Sequence, residues 1–270
     1  MTELVDTHCH IQSAGLNEGG EQATRELWAK APEMSGDTMI EEATAAGVTK
    51  MICVGCDAED SRLAIEFAKN RPNCWASAGI HPHEARHYAE DDLREFAQLA
   101  TAPKVVAIGE CGLDYYYGHS PKEKQIEVLK FQIELALKHD LPVIFHVRDA
   151  FDDFWPVFDS YTGVRGVLHS FTDSAENLHK AMARDLYIGV NGIATFAKKS
   201  EQVAVYREVP LQKLLLETDA PFLTPVPYRG NINEPKRVRT IMEFLAGLRG
   251  EDRDALARAT TRNVQKLFGI

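Results

Sequence analysis

Eight short apolar runs punctuate the chain, each followed by a turn and then by a stretch of helical period. They are Leu4-Val5, Met51 to Val54, Cys74 to Ala78, Val105 to Ile108, Val143 to Phe145, Gly166 to Leu168, Leu186 to Val190 and Leu214 to Leu216. Unbroken apolar runs of this length suit strands buried on both faces, as in a parallel sheet. Between them, Asp57 is placed to cap a helix carrying Leu63, Ala64, Phe67 and Ala68 on one face. Ser120-Pro121-Lys122-Glu123 reads as a capping box with proline at the first helical position, ahead of Ile126, Leu129, Ile133 and Ala136 at helical spacing. Glu251-Asp252-Arg253-Asp254 reads as the solvated start of a terminal helix. Strands alternating with helices, without a Pro/Gly/Ser-rich linker, predict an α/β chain folded as a single (β/α)8 TIM barrel domain over residues 1–270. The alternative, an open doubly wound sheet, normally has fewer strands and a glycine-rich phosphate turn. No G-x-G-x-x-G follows any of the runs.

One connection is too long for a routine barrel loop. Ser13 to Gly36 carries Gly15, Gly19, Gly20 and Pro32, with room for a short helix over Thr24 to Ala31. It is either a tolerated surface insertion or a lid over the site.

Composition narrows the class. Thirty Lys and Arg against 40 Asp and Glu give a net charge of −10 over 270 residues. That excludes broad wrapping of duplex nucleic acid, though not a small basic groove on an acidic body. Five cysteines, an odd number, fit reduced thiols in the cytoplasm better than a disulfide framework. Cys53-Val54-Gly55-Cys56 has the look of half a zinc knuckle, but without a second pair it reads as a buried strand end. No basic-then-apolar leader opens the chain, and nothing approaches the ~18 unbroken apolar residues of a membrane span. The expectation is a cytoplasmic protein with no membrane association and no obligate protein partner.

Barrel active sites lie at the C-terminal ends of the strands, so the residues just beyond each run matter most. The first run leads into Asp6-Thr7-His8-Cys9-His10, the third into Gly79-Ile80-His81-Pro82-His83 and the fourth into Gly109-Glu110-Cys111-Gly112-Leu113-Asp114. The fifth leads into His146-Val147-Arg148-Asp149, the sixth into His169-Ser170-Phe171, the seventh into Asn191 and the eighth into Glu217-Thr218-Asp219. His8 and His10, two apart on a strand, leave the same face and offer a preformed chelate. Any one of these histidines alone suits a hydrogen-bonded core position. Together, His8, His10, Glu110, His146, His169 and Asp219 exceed the three protein ligands of one catalytic zinc and suit two divalent ions. Glu110, midway round the barrel, is the natural bridge, and Asp219 is placed to bind a metal and to orient or deprotonate water.

These residues carry a resemblance. DTHCH (6–10), GIHPH (79–83), GECGLDYYY (109–117), PVIFHVRDA (142–150), GVLHSFT (166–172) and ETDAPFLTPVPYRG (217–230) resemble, in order and over nearly the whole chain, the TatD family of metal-dependent deoxyribonucleases in the amidohydrolase-like barrel superfamily. The resemblance implies that His8, His10, Glu110, His146, His169 and Asp219 are the ligands of a two-metal site. It also implies hydrolysis of DNA phosphodiesters, commonly from the 3′ end. Two features depart from the family pattern: Asn231-Ile232-Asn233 stands where a basic residue usually follows PxRG, and the Ser13–Gly36 segment is longer than usual.

Around the ligands, His81 reads as a donor to substrate and His83 as structural. Arg148 and Arg229 are candidates for holding phosphate, the first with the alternative of a salt bridge to Asp149 or Asp152. Tyr115, Tyr116 and Tyr117 are candidates for stacking on bases, with packing the expected role of two of the three. Asp114 is a candidate brace for a metal ligand. Four imidazoles favour Zn²⁺ or Mn²⁺, while phosphodiester chemistry keeps Mg²⁺ in play. The leading function is a deoxyribonuclease acting on single-stranded DNA or 3′ ends. Its rivals are a C–N or C–O hydrolase on a small substrate, and a binding protein whose metals are structural only.

Overall fold

The computed structural model describes residues 2–16, 19–89 and 92–270. Each apolar run becomes a strand: β1 (Leu4–Cys9), β2 (Val48–Cys53), β3 (Cys74–Ala78), β4 (Val105–Asp114), β5 (Val143–Arg148), β6 (Gly166–Leu168), β7 (Tyr187–Val190) and β8 (Leu214–Leu216). They form one sheet in sequence order, every neighbouring pair parallel. The circle closes just beyond β8. Cys9 bridges Ala220, the His10 N–H donates to the Ala220 carbonyl at 2.7 Å, and the Asp219 N–H donates to the His8 carbonyl at 2.8 Å. This is the (β/α)8 barrel that the pattern predicts.

Two helices, α1 (Gln22–Trp28) and α2 (Gly36–Ala45), lie between β1 and β2. Between the later strands come α3 (Ala58–Lys69), α4 (Arg94–Leu99), α5 (Lys122–His139), α6 (Phe151–Asp159), α7 (Ala175–Ala183) and α8 (Ser200–Glu208), and α9 (Val238–Arg249) and α10 (Arg253–Phe268) follow β8. Asp57 caps α3 as expected, accepting from the Asp60 N–H at 2.7 Å, and Asp252 caps α10. The capping box at Ser120 does not form. Helix α5 starts after Pro121 with no side-chain cap, and the Ser120 hydroxyl instead donates to the His83 carbonyl at 2.7 Å and accepts from the Arg86 N–H at 3.0 Å. The loop after β3 competes for the hydroxyl, and Pro121, at φ −57°, orients the helix start without it.

Strand alternation sorts the apolar side chains into two layers. Val143, Phe145, Leu214 and Leu216 point outward to the helices, among Ile133, Phe154 and Leu178. Val5, Ile52, Ala107, Ile144, Val167 and Leu215 fill the lumen, where Val264, Leu267 and Phe268 of α10 pack on them. The pairing register shifts at Leu4/Val5, Ala76/Ser77, Asp6/Cys9 and Ile108/Cys111, and the last two re-aim residues of the mouth. Between Asp6 and Cys9, three steps on β1 face two on β2, and between Ile108 and Cys111, three on β4 face two on β5. Each is a bulge, and a bulge re-aims the side chains after it. His8 thus shares the lumen with Val5, and Glu110 with Ala107, despite an odd spacing.

The long segment after β1 is built into the mouth. Trp28, 2% exposed, donates its indole N–H to the His10 carbonyl at 2.9 Å, and Glu21, Ala23 and Thr24 line the pocket above the barrel. Asn17 and Glu18 of this segment lie outside the described residues. Among the described residues, no helix is long and apolar enough to cross a membrane.

Candidate metal centre at the barrel mouth

The closing seam and the two bulges deliver the expected side chains to one point. His8 Nε2 lies 3.2 Å from His10 Nε2, 3.2 Å from Glu110 Oε2 and 3.7 Å from Asp219 Oδ1, which is itself 3.3 Å from His10 Nε2. The other Glu110 oxygen, Oε1, lies 2.8 Å from His146 Nδ1 and 3.6 Å from His169 Nε2. One carboxylate therefore faces two sets of imidazoles, one through each oxygen. Asp219 holds its place at φ +59°, a left-handed conformation that a residue with a Cβ seldom adopts outside a site that demands it.

The outer nitrogens show what the inner ones are for. His10 Nδ1 donates to the Val54 carbonyl at 3.0 Å, His146 Nε2 meets Asp114 Oδ2 at 3.0 Å, and His169 Nδ1 lies 3.0 Å from Glu217 Oε1. With the outer nitrogen facing its own partner, the inner nitrogen is the one that can give up its proton to a cation between it and the carboxylates, the arrangement of a metal-ligating imidazole. His8 Nδ1 is buried without a partner, and its Nε2 faces only acceptors and another imidazole. A divalent cation satisfies that set of facing lone pairs, so these residues fit one.

Charge tells the same story. Burial works against ionised Glu110, but the charges of His169 and His8 and hydrogen bonds from His146 and His8 outweigh it and hold the carboxyl well below its usual range. Asp219 is lowered in the same way, against its burial, by a hydrogen bond from His10 and the charges of His169 and His8. Burial pushes the imidazoles down, yet Asp219 lifts His10 to about 9, Glu217 and Glu110 lift His169 to about 10, and Asp114 and Glu110 lift His146 to about 8. His8 is lowered by burial and by the charge of His169. Carboxylates strong enough to protonate three buried imidazoles mark a pocket of negative potential, in which cations compete with those protons.

The surrounding residues divide. His81 lines the pocket, with Nε2 3.4 Å from His146 Nδ1 and 3.8 Å from Glu110 Oε1. His83 also lines it, 3.2 Å from Asp114 Oδ2. Arg148 lines the rim and, among the described residues, makes no ion pair with Asp149 or Asp152; its guanidinium lies over Tyr116 and Tyr117. Arg229 is not brought to the site. It turns back to donate to the Thr224 carbonyl at 2.9 Å and lies 4.0 Å from the Phe196 ring centroid, outside the pocket wall. All five cysteines are free and buried; burial pushes the Cys9 thiol up to about 11 and Cys56 and Cys111 upward as well, so none of these three is poised as a thiolate.

Two residues that the strand ends named received no role from the sequence. Glu217, 1% exposed, accepts the Ser170 N–H at 2.6 Å besides holding His169. A Cβ at Gly189 would sit 2.3 Å from its Oε2, so glycine on β7 is the space that Glu217 occupies. The available signal was the E-T-D spacing, which puts Glu217 on the lumen face above Leu215. Asp6 accepts the Thr218 N–H at 2.9 Å and stitches β1 to the chain beyond β8 beneath His8, and burial pushes it up to about 8. Only closure of the barrel reveals that partner.

The sequence model of the TatD related DNase family matches residues 5–269. The chain belongs to this family. An uncharacterized metal-dependent hydrolase of Bacillus subtilis, YabD, is 37% identical over 269 residues, covering 99% of each chain. The 3′-5′ ssDNA/RNA exonuclease TatD of Erwinia billingiae is 38% identical over 242 residues, covering 87% of this chain and 93% of its own. Among solved structures, the TatD homolog YjjV of Escherichia coli K12 superposes with a TM-score of 0.86 at 29% identity, covering 100% of this chain and 99% of the other. This TatD-family chain is thus a metal-dependent hydrolase, with its clustered histidines and carboxylates at the barrel mouth.

Proposed function

We propose that this TatD-family protein is an exonuclease that removes nucleotides from the 3′ end of single-stranded DNA, with two divalent cations held by His8, His10, Glu110, His146, His169 and Asp219. The observation that carries the reading is Glu110, with Oε2 toward His8 and Oε1 toward His146 and His169. The 3′-5′ exonuclease name of its relatives, at 36–38% identity, supports the substrate class. When bound, the cations supply Lewis-acid activation of water and neutralise charge on the phosphodiester.

The chain's own groups do the rest. Asp219, on the rim side of the His8–His10 pair, orients the attacking water and takes its proton. His81, with Nε2 turned into the pocket, donates to a phosphoryl oxygen. Arg148, without a carboxylate partner among the described residues, presents cationic N–H groups to the strand's phosphates at the rim. Asp114 and Glu217 hold His146 and His169 from outside. The pocket, 610 Å³, is wide enough for a nucleotide and open to a trailing single strand. Five free buried thiols support a cytoplasmic location.

The test is 5′-labelled single-stranded DNA incubated with metal-loaded protein, alongside dihydropyrimidine amides. A shortening ladder that chelator abolishes is expected, and amide turnover with intact DNA would replace the nuclease by a C–N hydrolase. Asp219→Asn is expected to remove nearly all cleavage while the protein still melts cooperatively. Wild-type turnover by this variant takes Asp219 out of the mechanism. Elemental analysis of the purified protein reads the identity and the stoichiometry of the metals.

A further inference from the structure

At the end of β4 the chain turns through three tyrosines, and the structure gives them different work. Tyr115 is tied down, its hydroxyl donating to Asp153 Oδ2 at 2.9 Å and its ring lying 4.0 Å from Lys122 Nζ. Tyr116 and Tyr117 are 59% and 53% exposed, an unusual placement for two adjacent large rings. They stand at 88° to each other, with the Arg148 guanidinium 4.1 Å from the first ring centroid and 4.9 Å from the second. Asp114, whose Oδ2 meets His146, accepts the Tyr117 N–H through Oδ1 at 2.9 Å, so one carboxylate sets both the metal-centre imidazole and the tyrosine turn. Tyr117 and Arg148 line the same pocket as the histidines.

We infer that Tyr116, Tyr117 and Arg148 form a nucleobase subsite, which takes the face of one unpaired base close to the bond that is cut. The inference rests on the nuclease reading above and names what that site recognises besides phosphate. The half-exposed rings, with the Arg148 guanidinium over both and the His119 ring stacked on Tyr117 at 5.7 Å, extend an aromatic and cationic surface that matches the π-face of any base, so the subsite tolerates every sequence. A paired base hides its faces in the duplex stack, so the subsite selects single strands. Among the described residues the Arg148 N–H edge makes no ion pair, so it can meet the adjoining phosphate while the guanidinium face stays on the rings.

The experiment measures kcat/KM on 5′-labelled single-stranded oligonucleotides in which one abasic residue is moved stepwise from the 3′ end. Wild type is expected to slow by roughly 5- to 100-fold at one abasic position and by little at the others. Tyr116→Ala and Tyr117→Ala are expected to lose a comparable factor on the intact strand and nothing further when that base is already missing. Tyr116→Phe and Tyr117→Phe, which keep the stacking face, retain the wild-type pattern. The subsite is overturned if no abasic position slows wild type, or if the alanine variants lose the same factor with and without the base. Bis(p-nitrophenyl) phosphate, a diester without a base, separates the failures. Wild type that cuts DNA and this diester with a flat abasic scan sinks the subsite alone. Wild type that cuts neither sinks the nuclease reading and the subsite with it.

Discussion

The floor of the lumen and its mouth are built on the same faces of the same strands. Ile144 and His146 on β5, Val167 and His169 at β6, and Leu215 and Glu217 at β8 are each separated by two residues, a rise of about 7 Å. At the floor, Ile144, Val167 and Leu215 pack with Val264 and Phe268 of α10. At the mouth, His169 and Glu217 are nearly as inaccessible, yet they face each other, and His169 faces the carboxylate of Glu110. Floor burial is favourable at about 25 cal/mol per Å² of apolar surface, whereas taking carboxylates and imidazoles out of water is costly unless they are paired. The fold is thus stabilised from below and made reactive from above, and the two roles should separate on mutation.

The widest separation is expected on β5. Ile144→Ala should lower stability by about 2–5 kcal/mol, read as a drop in urea midpoint, while metal stoichiometry stays unchanged. His146→Asn should cost at least about 100-fold in cleavage, with a smaller shift in the chelated protein's urea midpoint. Equal stability losses at the two positions would erase the distinction between floor and mouth.

A smaller effect is expected from pH. Asp60 is 1% exposed beside Gln12 and the Cys56 N–H, and burial pushes it up to about 6. Between about pH 4 and pH 6 the folded protein holds a proton that the unfolded chain has released, so this stability is complete below about 4 and lost as pH rises through about 6. Across that window, wild type should lose on the order of 2 kcal/mol relative to Asp60→Asn in urea unfolding. Parallel stability profiles for the two proteins would show that Asp60 is ionised at the lower pH as well.

The smallest concerns the wall. Trp28→Phe removes the donor to the His10 carbonyl and should cost about 1 kcal/mol of stability. A loss of metal affinity beyond that of stability, seen by calorimetric titration, would make the indole a positioning group for His10. Unchanged affinity would leave the Ser13–Gly36 segment as packing.

Much of this was legible along the chain because local rules applied. The apolar runs appear as strands at nearly their expected places, Asp57 caps its helix, and the histidines stand where a barrel gathers them. Ser120 misled because a capping motif is a local statement, and its hydroxyl is engaged instead by the Arg86 N–H, which donates to it, and by the His83 carbonyl, both in the distant loop after β3. Arg229 misled because proximity to the mouth in sequence says nothing about which way a long side chain folds. Glu217 was named at the end of its strand but given no role, because its partner, His169, stands two strands back along the chain.

Period and composition, properties of neighbours along the chain, suffice to say that this protein is a barrel with ligand-type residues at one end. They do not say which face His8 and Glu110 present, since each lies three residues from a lumen position and simple alternation would turn it outward. The bulges that reverse this exist only where β1 pairs with β2 and β4 with β5. The seam that brings Asp219 to His10 exists only when the last strand meets the first. Those pairings are long-range, and their register depends on the packing of the whole ring.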